Sequence, residues 1–426
     1  MVSQMKDSLN SSLARNSAIQ IFWWLVFFPG FYSTDSFSAV SRAQSGDLDN
    51  AGTASWSLYI RYFSFFGSAI PLLTLISGLA LTYSVTCFAY SIFSRKVAAI
   101  SSLVIVATPV VYAMGITLWH DIPFTAGLIL ISAFFASEYR EISVFKNRFW
   151  FLLFPGSILL TFKPNGLPTL VLFAFIYFLL NRKQDIFKNL VSAIAIASIV
   201  TLGFSYLIIK QPPINSLYAQ QFMQFDISCF ASTESGKGFV EKNIPGVSNS
   251  EGWSSPESCS FISRSKLSAE EGNQANNLIS VAWKTLVLEE PKFVIETHMR
   301  RHAYLLPIPI YGIPTEPFIH SNIEFKDRGI SWAFPEIAEK ARIIPRVWNA
   351  ARGIFGWAGF WLLLMIVLSR FGSYKGLAPP ALLGLSQIII LFVVAPIPDG
   401  RYALFVLITG QLAFIGSVVG FIKRNK

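Results

Sequence analysis

The sequence predicts an all-α polytopic membrane protein with about ten transmembrane helices and a mixed extracytoplasmic loop domain. Of its 426 residues, 53% are hydrophobic and only 14% are charged, which is far more apolar than a soluble enzyme of this length. Apolar runs long enough for membrane helices recur along most of the chain. One long polar stretch, at about 211–352, separates the early runs from the last ones.

The apolar runs fall at 17–32, 66–92, 97–115, 123–138, 149–162, 166–181, 189–209, 354–370, 377–396 and 401–421. They predict an N-terminal transmembrane module at 1–210 with about seven spans and two short outer loops. A periplasmic loop domain at 211–353 and a C-terminal module at 354–426 with about three spans follow. An alternative for the first run is a signal peptide cleaved near Ala43.

The positive charges of the short connections predict the orientation. With both termini in the cytoplasm of a bacterium, most basic residues lie on the cytoplasmic side of the inner membrane. The outer connections then hold only Arg42, Arg61, Lys163 and Arg401. These outer cations need their own explanation.

The loop domain has two halves of different character. Its first half is rich in Gly, Ser, Pro and Asn, which is typical of turns and irregular chain. Its second half predicts amphipathic helices at 278–288 and 292–306 that lie along the membrane interface. Cys229 and Cys259 fall in this domain and can pair if it faces an oxidising compartment, whereas Cys87 lies in an apolar run.

Several functions are disfavoured by what the sequence lacks. It contains no Gly-rich phosphate loop, HExxH or CxxC motif, which argues against nucleotide-driven transport and against a zinc hydrolase. The net charge of +10 is scattered in short groups and forms no continuous stripe, so no nucleic-acid partner is expected.

Acidic residues follow the first apolar run. Asp35 comes just past its outer end, and Asp47 and Asp49 lie further along the same loop. A carboxylate partly shielded from water by protein can act as a general base. The alternative is an ordinary solvated loop.

The short connection TLWHDIPFT carries Trp119, His120 and Asp121. A connection this short holds its side chains at the outer surface, where Asp121 can coordinate a divalent cation, bind a sugar hydroxyl or orient a cationic partner. The alternative is that Asp121 caps the following helix.

Two cations, Lys163 and Arg401, lie at outer helix ends, against the usual charge bias. Both are well placed to hold a lipid phosphate. The alternatives are snorkelling to the interface, or an ion pair between Asp399 and Arg401. A further basic group lies on the second amphipathic helix: His298, Arg300, Arg301 and His302.

Taken together, acids and phosphate-binding cations at one membrane surface indicate transfer from a lipid-linked phosphate donor. The cations would stabilise the leaving phosphate, and an acid would deprotonate the incoming hydroxyl.

This pattern resembles the GT-C family of integral-membrane glycosyltransferases, which use polyprenyl-phosphate-linked sugars. The matching stretches are FYSTDSFSAVSRAQSGD, LWHDIPF, FKPNG, the DGRY-like signature and WKTLVLEEPKFVIETHMRRHAYL. The similarity is greatest to the serotype-converting, O-antigen-modifying branch of bacteria and their phages. Where related sequences carry a Gln and a His pair after the first acid, this chain has Ser-Arg-Ala-Gln and then TASWSLY.

The resemblance implies roles for these residues. Asp35, preferred over Asp47 and Asp49, would be the catalytic base, and Asp121 would organise the donor head or a divalent cation. The residues implied in substrate binding are Trp119, His120, Asp47, Asp49, Lys163, Arg301, Arg401 and Tyr402.

The resemblance also implies the reaction and its partners. A sugar, expected to be glucose, would move with inversion from undecaprenyl phosphate to a surface polysaccharide or lipid-linked saccharide such as O-antigen. No cofactor beyond a divalent cation is implied, and a flippase and a cytoplasmic donor-forming synthase would be partners.

Two rival functions stay open. An O-antigen polymerase or ligase uses the same carriers but usually has Arg-rich outer loops. A polytopic transporter predicts charges near the membrane midplane and repeated halves, neither of which is evident in the sequence.

Overall fold

The computed structural model describes residues 2–46, 53–138, 147–181, 184–208, 221–236, 238–244, 269–308, 332–371, 374–395 and 400–424. Within these ranges the chain is helical and contains no strand, only an isolated parallel bridge between Phe31 and Thr117. The all-α prediction is therefore confirmed for the described residues.

The N-terminal module contains ten α-helices. They are α1 (Val2–Val26), α2 (Thr34–Ser45), α3 (Ala54–Phe63), α4 (Ile70–Ile92), α5 (Arg95–Val106), α6 (Pro109–Gly115), α7 (Asp121–Ser137), α8 (Phe154–Leu160), α9 (Gly166–Asn181) and α10 (Gln184–Ile208). A π-helical turn at Phe149–Leu153 leads into α8.

The rest of the chain forms ten more helices. They are α11 (Gln221–Ala231), α12 (Phe239–Asn243), α13 (Ala269–Glu289), α14 (Pro291–Arg301), α15 (Pro335–Ala341), α16 (Ile343–Ala350), α17 (Arg352–Phe355), α18 (Ala358–Phe371), α19 (Ala378–Val394) and α20 (Leu404–Arg424). A 3₁₀ turn at Gly400–Ala403 precedes α20.

Four helical segments are long and apolar enough to cross a membrane: Ile70–Ile92, Phe187–Tyr206, Lys375–Val394 and Gly400–Arg424. A fifth span is formed if α5 and α6, which meet at a bend of 58°, are counted together. Large apolar side chains such as Ile199 and Leu202, each 70% exposed, face outward as lipid contact requires. The chain is a multi-pass membrane protein.

The ten predicted runs all contain helix, but six of them do not meet this length and composition test as single helices. Helices α7, α8, α9 and α18 are short, and α1 has a polar first half. The number of spans, the orientation of the termini and the proposed domain boundaries therefore stay predictions.

A ladder of polar side chains joins α1 to α4. Ser8, Ser12, Asn16, Gln20 and Trp24 are each four residues apart and therefore share one face of α1. Their partners on α4 are Tyr90 (2.7 Å from Ser8 and 2.9 Å from Ser12), Thr86 (3.0 Å from Asn16), Thr82 (3.4 Å from Gln20) and Thr74 (3.0 Å from Trp24). We call this set the polar ladder; it explains why α1 starts well before the predicted run at residue 17.

The described part of the loop domain has its own small apolar core. Ile227, Phe230, Ile279 and Leu286 are buried there, from helices α11 and α13. The two amphipathic helices predicted at 278–288 and 292–306 are confirmed as α13 and α14, whereas their position at the membrane interface stays a prediction.

The first half of this domain was expected to be irregular, and for its described residues that expectation was wrong. They form α11 and α12, because apolar residues at helical spacing, such as Ile227 and Phe230, supply a buried face. The domain is helical rather than mixed in its described part.

Cys229 is disulfide-bonded, whereas Cys87 is a free, buried thiol. Cys259 lies outside the described residues, so its pairing with Cys229 stays a prediction.

Candidate active site

Backbone hydrogen bonds join the segment after α1 to the segment that leads into α7. The Phe31 N–H donates to the Ile116 carbonyl at 3.0 Å, and the Leu118 N–H donates back to the Phe31 carbonyl at 3.0 Å. The segment after α1 therefore runs beside the segment that leads into α7. Since Asp35 follows the first segment and Asp121 follows the second, the pairing places both acids at one end of the helix bundle.

Serine side chains fix the start of α2, which carries Asp35 in its first turn. Ser33 and Ser36 form a capping box, in which each side chain accepts a hydrogen bond from the other residue's backbone N–H. The Trp119 Nε1–H donates to Ser33 Oγ at 2.7 Å, and the Ser36 hydroxyl donates to the Leu118 carbonyl at 2.8 Å. These bonds hold the Asp35 turn against the Trp119–Asp121 segment.

Asp121 is the first residue of α7, and its side chain is fully buried. Its Oδ1 accepts a hydrogen bond from Lys163 Nζ, which comes from the turn after α8. The Lys163 Nζ also lies 4.0 Å from the centroid of the Tyr402 ring. A buried carboxylate is costly unless it is paired, and Lys163 together with the N-terminus of α7 supplies the compensating positive charge.

Arg401 lies between the two acids. Its Nη2 is 2.9 Å from Asp35 Oδ2, and its Nε is 4.0 Å from Asp121 Oδ2. The guanidinium packs over the Trp119 ring, with its central carbon 4.8 Å from the ring centroid. One planar cation thus connects the two predicted acids.

His120 lies beside Asp121, with Nε2 3.7 Å from Oδ2. Burial lowers the pKa of His120 to about 4, even though the neighbouring Asp121 charge raises it. The ring is therefore neutral at physiological pH. The four charged groups, Asp35, Asp121, Lys163 and Arg401, balance one another.

Asp35 and Asp121 differ in the solvent exposure of their side chains. The Asp35 side chain is 60% exposed, whereas that of Asp121 is 0% exposed. Asp35 is therefore open to contact from solvent, whereas Asp121 is enclosed by the cations with which it pairs.

The structure brings together seven of the residues predicted for the site: Asp35, Trp119, His120, Asp121, Lys163, Arg401 and Tyr402. Asp47, Asp49 and Asp399 lie outside the described residues. His120 occupies the N-cap position of α7 and no side-chain capping hydrogen bond forms, so the alternative that Asp121 caps this helix was wrong. Asp121 lies in the first turn, where its carboxylate pairs with Lys163.

Arg301 is held elsewhere. It pairs with Asp226, and its guanidinium carbon lies 4.2 Å from the centroid of the Phe225 ring. These contacts involve none of the seven residues above, so the role of Arg301 in substrate binding stays a prediction. Of the basic group on α14, His298, Arg301 and the following His302 are buried, and Arg300 is exposed.

Sequence reasoning missed Ser33, Ser36 and Asp226. The Ser-x-x-Ser spacing before a helix was the available signal for the capping box. Asp226 stands alone among apolar residues in QFMQFDISCF, which is the usual sign of a buried and paired acid.

A divalent cation was a candidate ligand of Asp121. Among the described residues, no group of three or more His, Cys, Asp or Glu side chains converges. Asp121 has Lys163 and Arg401 as its charged neighbours within 4.0 Å, along with the neutral His120. The described donor set therefore suits an anion better than a metal ion.

No protein-family model matches the chain, and no curated protein matches it. Among solved structures, two crystal structures of ArnT from Cupriavidus metallidurans are similar. The one bound to undecaprenyl phosphate is 12% identical, covers 95% of this chain and 77% of that chain, and has a TM-score of 0.40. The apo structure is 14% identical, covers 95% and 78%, and has a TM-score of 0.38. At this level the likeness carries no functional argument, which has to come from the geometry of the site.

Proposed function

We propose that the chain is a membrane glycosyltransferase that moves a sugar from a polyprenyl-phosphate carrier to an acceptor hydroxyl. The observation that carries this proposal is the convergence of Asp35, Arg401, Asp121 and Lys163, from four separate segments, at one end of the bundle. A lipid phosphate at the bundle end and a water-accessible acceptor meet most readily at such a place.

Asp35 is the general base in this proposal. It is the exposed acid of the cluster, and a carboxylate oxygen within reach of the acceptor can take its proton as the new glycosidic bond forms. The carbon–oxygen bond to the phosphate breaks in the same displacement, so the anomeric configuration inverts.

Arg401 links the base to the donor. Its Nη2 donates a hydrogen bond to Asp35 Oδ2, so this carboxylate oxygen is occupied by Arg401. A donor phosphate that draws the guanidinium toward itself would release Asp35 for its role as base. Arg401 would also stabilise the charge that builds up on the leaving phosphate.

The buried pair of Asp121 and Lys163 has a supporting role. Asp121 holds Lys163 within a cation–π distance of Tyr402, and Trp119 covers one face of Arg401. In this proposal Lys163 binds the carrier phosphate as a second cation, and His120, Trp119 and Tyr402 form the walls that orient the donor.

The finer assignment rests on the sequence resemblance. It comprises undecaprenyl phosphate as carrier, glucose as sugar, O-antigen as acceptor, the inner membrane as location and cytoplasmic termini. The outer domain at 211–353 would help to bind the acceptor saccharide.

A transporter predicts buried charges near the middle of the spans. Among the described residues, the buried charged side chains are Asp121, Lys163, Asp226, His298, Arg301 and Arg401, and each lies at a helix end, in a connection or in the outer domain. The buried polar ladder between α1 and α4 is uncharged. This distribution favours the transferase.

The test compares surface glycans by mass spectrometry in cells that lack the protein, express it, or express Asp35→Asn. We expect one hexose-sized increment with the wild type and its loss with Asp35→Asn at equal membrane accumulation. Asp185→Asn, at an exposed acid of α10, is the matched control and keeps the increment. A change in the number of repeat units would instead support a polymerase, and identical glycans in all strains would contradict the transferase proposal.

A further inference from the structure

A second buried cluster of charges lies in the outer domain. Asp226 of α11 accepts hydrogen bonds from His298 Nε2 at 2.8 Å, from Trp283 Nε1 at 2.9 Å and from Arg301. The side chains of Asp226, His298 and Arg301 are 0%, 8% and 2% exposed. We call Asp226, His298 and Arg301 the outer cluster.

Asp226 is ionised in this cluster. Burial of the carboxyl group raises its pKa, but hydrogen bonds from His298 and Trp283 and the charge of Arg301 outweigh that effect and lower it. A carboxylate has only acceptor oxygens, so each of its three partners must be a donor.

The two hydrogen bonds of His298 determine its protonation state. Nε2 faces the Asp226 carboxylate at 2.8 Å, and Nδ1 faces the Phe392 carbonyl at 2.8 Å. Both oxygens are acceptors, and a neutral imidazole has only one N–H. Both bonds form together only when His298 is an imidazolium.

Phe392 lies in the last turn of α19, where carbonyl groups have no partner within the helix. A cationic donor at this position satisfies one carbonyl and also compensates the negative end of the helix dipole. His298 therefore connects the outer domain to the end of α19.

The same helix holds the arginine of the candidate active site. The Gln387 side chain of α19 donates to the Tyr402 carbonyl at 2.8 Å, next to Arg401. A change in the position of α19 is thus transmitted to the neighbourhood of Arg401 through Gln387.

We propose that His298, as an imidazolium, is a positioning residue that fastens the outer domain to α19 and thereby places Arg401 for transfer. This inference rests on the proposed function for its kinetic part, whereas the protonation of His298 can be tested without any activity. The outer cluster touches no reacting atom in this account.

The groups that face His298 are few. They are Asp226 from α11, Arg301 and His302 from the end of α14, the Trp283 indole from α13 and the uncharged Phe392 carbonyl from α19. Loss of either hydrogen bond of His298 would free the end of α19 from the outer domain and leave Arg401 less well placed.

The direct test is nitrogen-15 NMR of the full-length protein labelled at histidine, in detergent micelles. The chain has four histidines, and the His298→Gln variant identifies the signals of His298. At pH 7 we expect both ring nitrogens of His298 to be protonated. A neutral ring with a single N–H at pH 7 would overturn the proposal, whether or not the protein is a transferase.

The kinetic test uses two histidines one helical turn apart. His298→Gln should lower kcat about 10-fold to 100-fold with little change in KM, because misplacement of a catalytic group affects the chemical step. Gln387→Leu should lower kcat in the same way, and the double variant should lose less than the product of the two effects.

His302→Phe is the matched control. His302 is fully buried and its ring also packs near Phe392, and it faces the Ala395 backbone at the end of α19 without the well-formed hydrogen bonds that His298 makes. This variant should keep kcat within about twofold, since an apolar ring of similar shape replaces a neutral imidazole. Equal kinetic losses for His298→Gln and His302→Phe would reduce His298 to a packing role and contradict the proposal.

Discussion

Among the described residues, Asp121 and Asp226 are the two buried carboxylates, and their surroundings differ. Asp121 belongs to a cluster built from loops and helix ends, which opens to solvent at the 60% exposed Asp35. Asp226 belongs to a cluster built from helix faces, whose side chains are almost completely buried. We call Asp35, Asp121, Lys163 and Arg401 the open cluster; it is suited to exchange its ion pairs for a substrate. The second set is the outer cluster, which is closed to solvent and is suited to hold helices together.

The largest effect should come from the cation that the open cluster shares. Arg401→Gln should lower kcat/KM about 10³-fold, or about 4 kcal/mol of transition-state stabilisation, because the leaving phosphate loses its planar donor. Steady-state kinetics with a polyprenyl-phosphate-linked sugar measures it. Arg346→Gln, at a half-exposed arginine of α16, should leave the rate unchanged, and a similar loss there would contradict a specific role for Arg401.

Substitutions in the outer cluster should lower the stability of the protein. Asp226→Leu leaves His298 and Arg301 as buried cations without their acid, which costs about 3–5 kcal/mol of unfolding free energy. Pulse proteolysis of the outer domain measures this cost.

A triple substitution in the outer cluster separates its effect on stability from its effect on transfer. Asp226→Leu with His298→Leu and Arg301→Met removes all the charges together and should recover most of the stability, since apolar replacement of buried ion pairs is often neutral. Transfer should stay low, because α19 has lost its anchor. Full recovery of both properties would show that the outer cluster does not position Arg401.

A buried histidine beside the outer cluster, His302, should make the stability of the protein depend on pH. Burial lowers the pKa of His302 from 6.5 to about 3, so between these values the unfolded chain binds a proton that the folded chain does not. Stability of the outer domain should therefore fall as pH decreases from about 6 to 4, by about 1 kcal/mol per pH unit. His302→Phe should flatten this slope in pulse proteolysis across that range; an unchanged slope would assign it to other groups.

The smallest effect is expected in the polar ladder, where the interacting side chains are uncharged. Asn16→Leu in the polar ladder removes hydrogen bonds to Thr86 and Ser102 and should cost about 1 kcal/mol, as is typical between membrane helices. Thermal unfolding in detergent measures it. Asp185→Asn serves as the surface reference, and a loss above about 3 kcal/mol at Asn16 would place the ladder beside the charged clusters in importance.

The residues of the open cluster could be predicted because acids and cations at helix ends stand out between apolar runs. Asp35, Asp121, Lys163 and Arg401 were all found in this way. Their pairing could not be predicted, since it depends on the bridge between Phe31 and Thr117, which no local pattern encodes.

The outer cluster escaped sequence reasoning for a different physical reason. Asp226 and Arg301 lie 75 residues apart and meet only after α11, α13 and α14 have packed. Arg301 was noticed as a cation, but its partner lay in a stretch expected to be irregular. The predicted apolar run at 17–32 likewise covers only the later part of α1, because the polar side chains earlier in this helix find their partners on α4, which is distant in sequence.

The polar ladder also fixes the position of α1 along α4. Its rungs repeat every four residues, so sliding α1 along α4 by one turn, about 5.4 Å, would bring each rung opposite the wrong partner. In a lipid environment that offers no replacement hydrogen bonds, such a slip is unfavourable at every rung at once. Asp35 stands eleven residues beyond the last rung, Trp24, and its position relative to α4 is therefore set by the ladder.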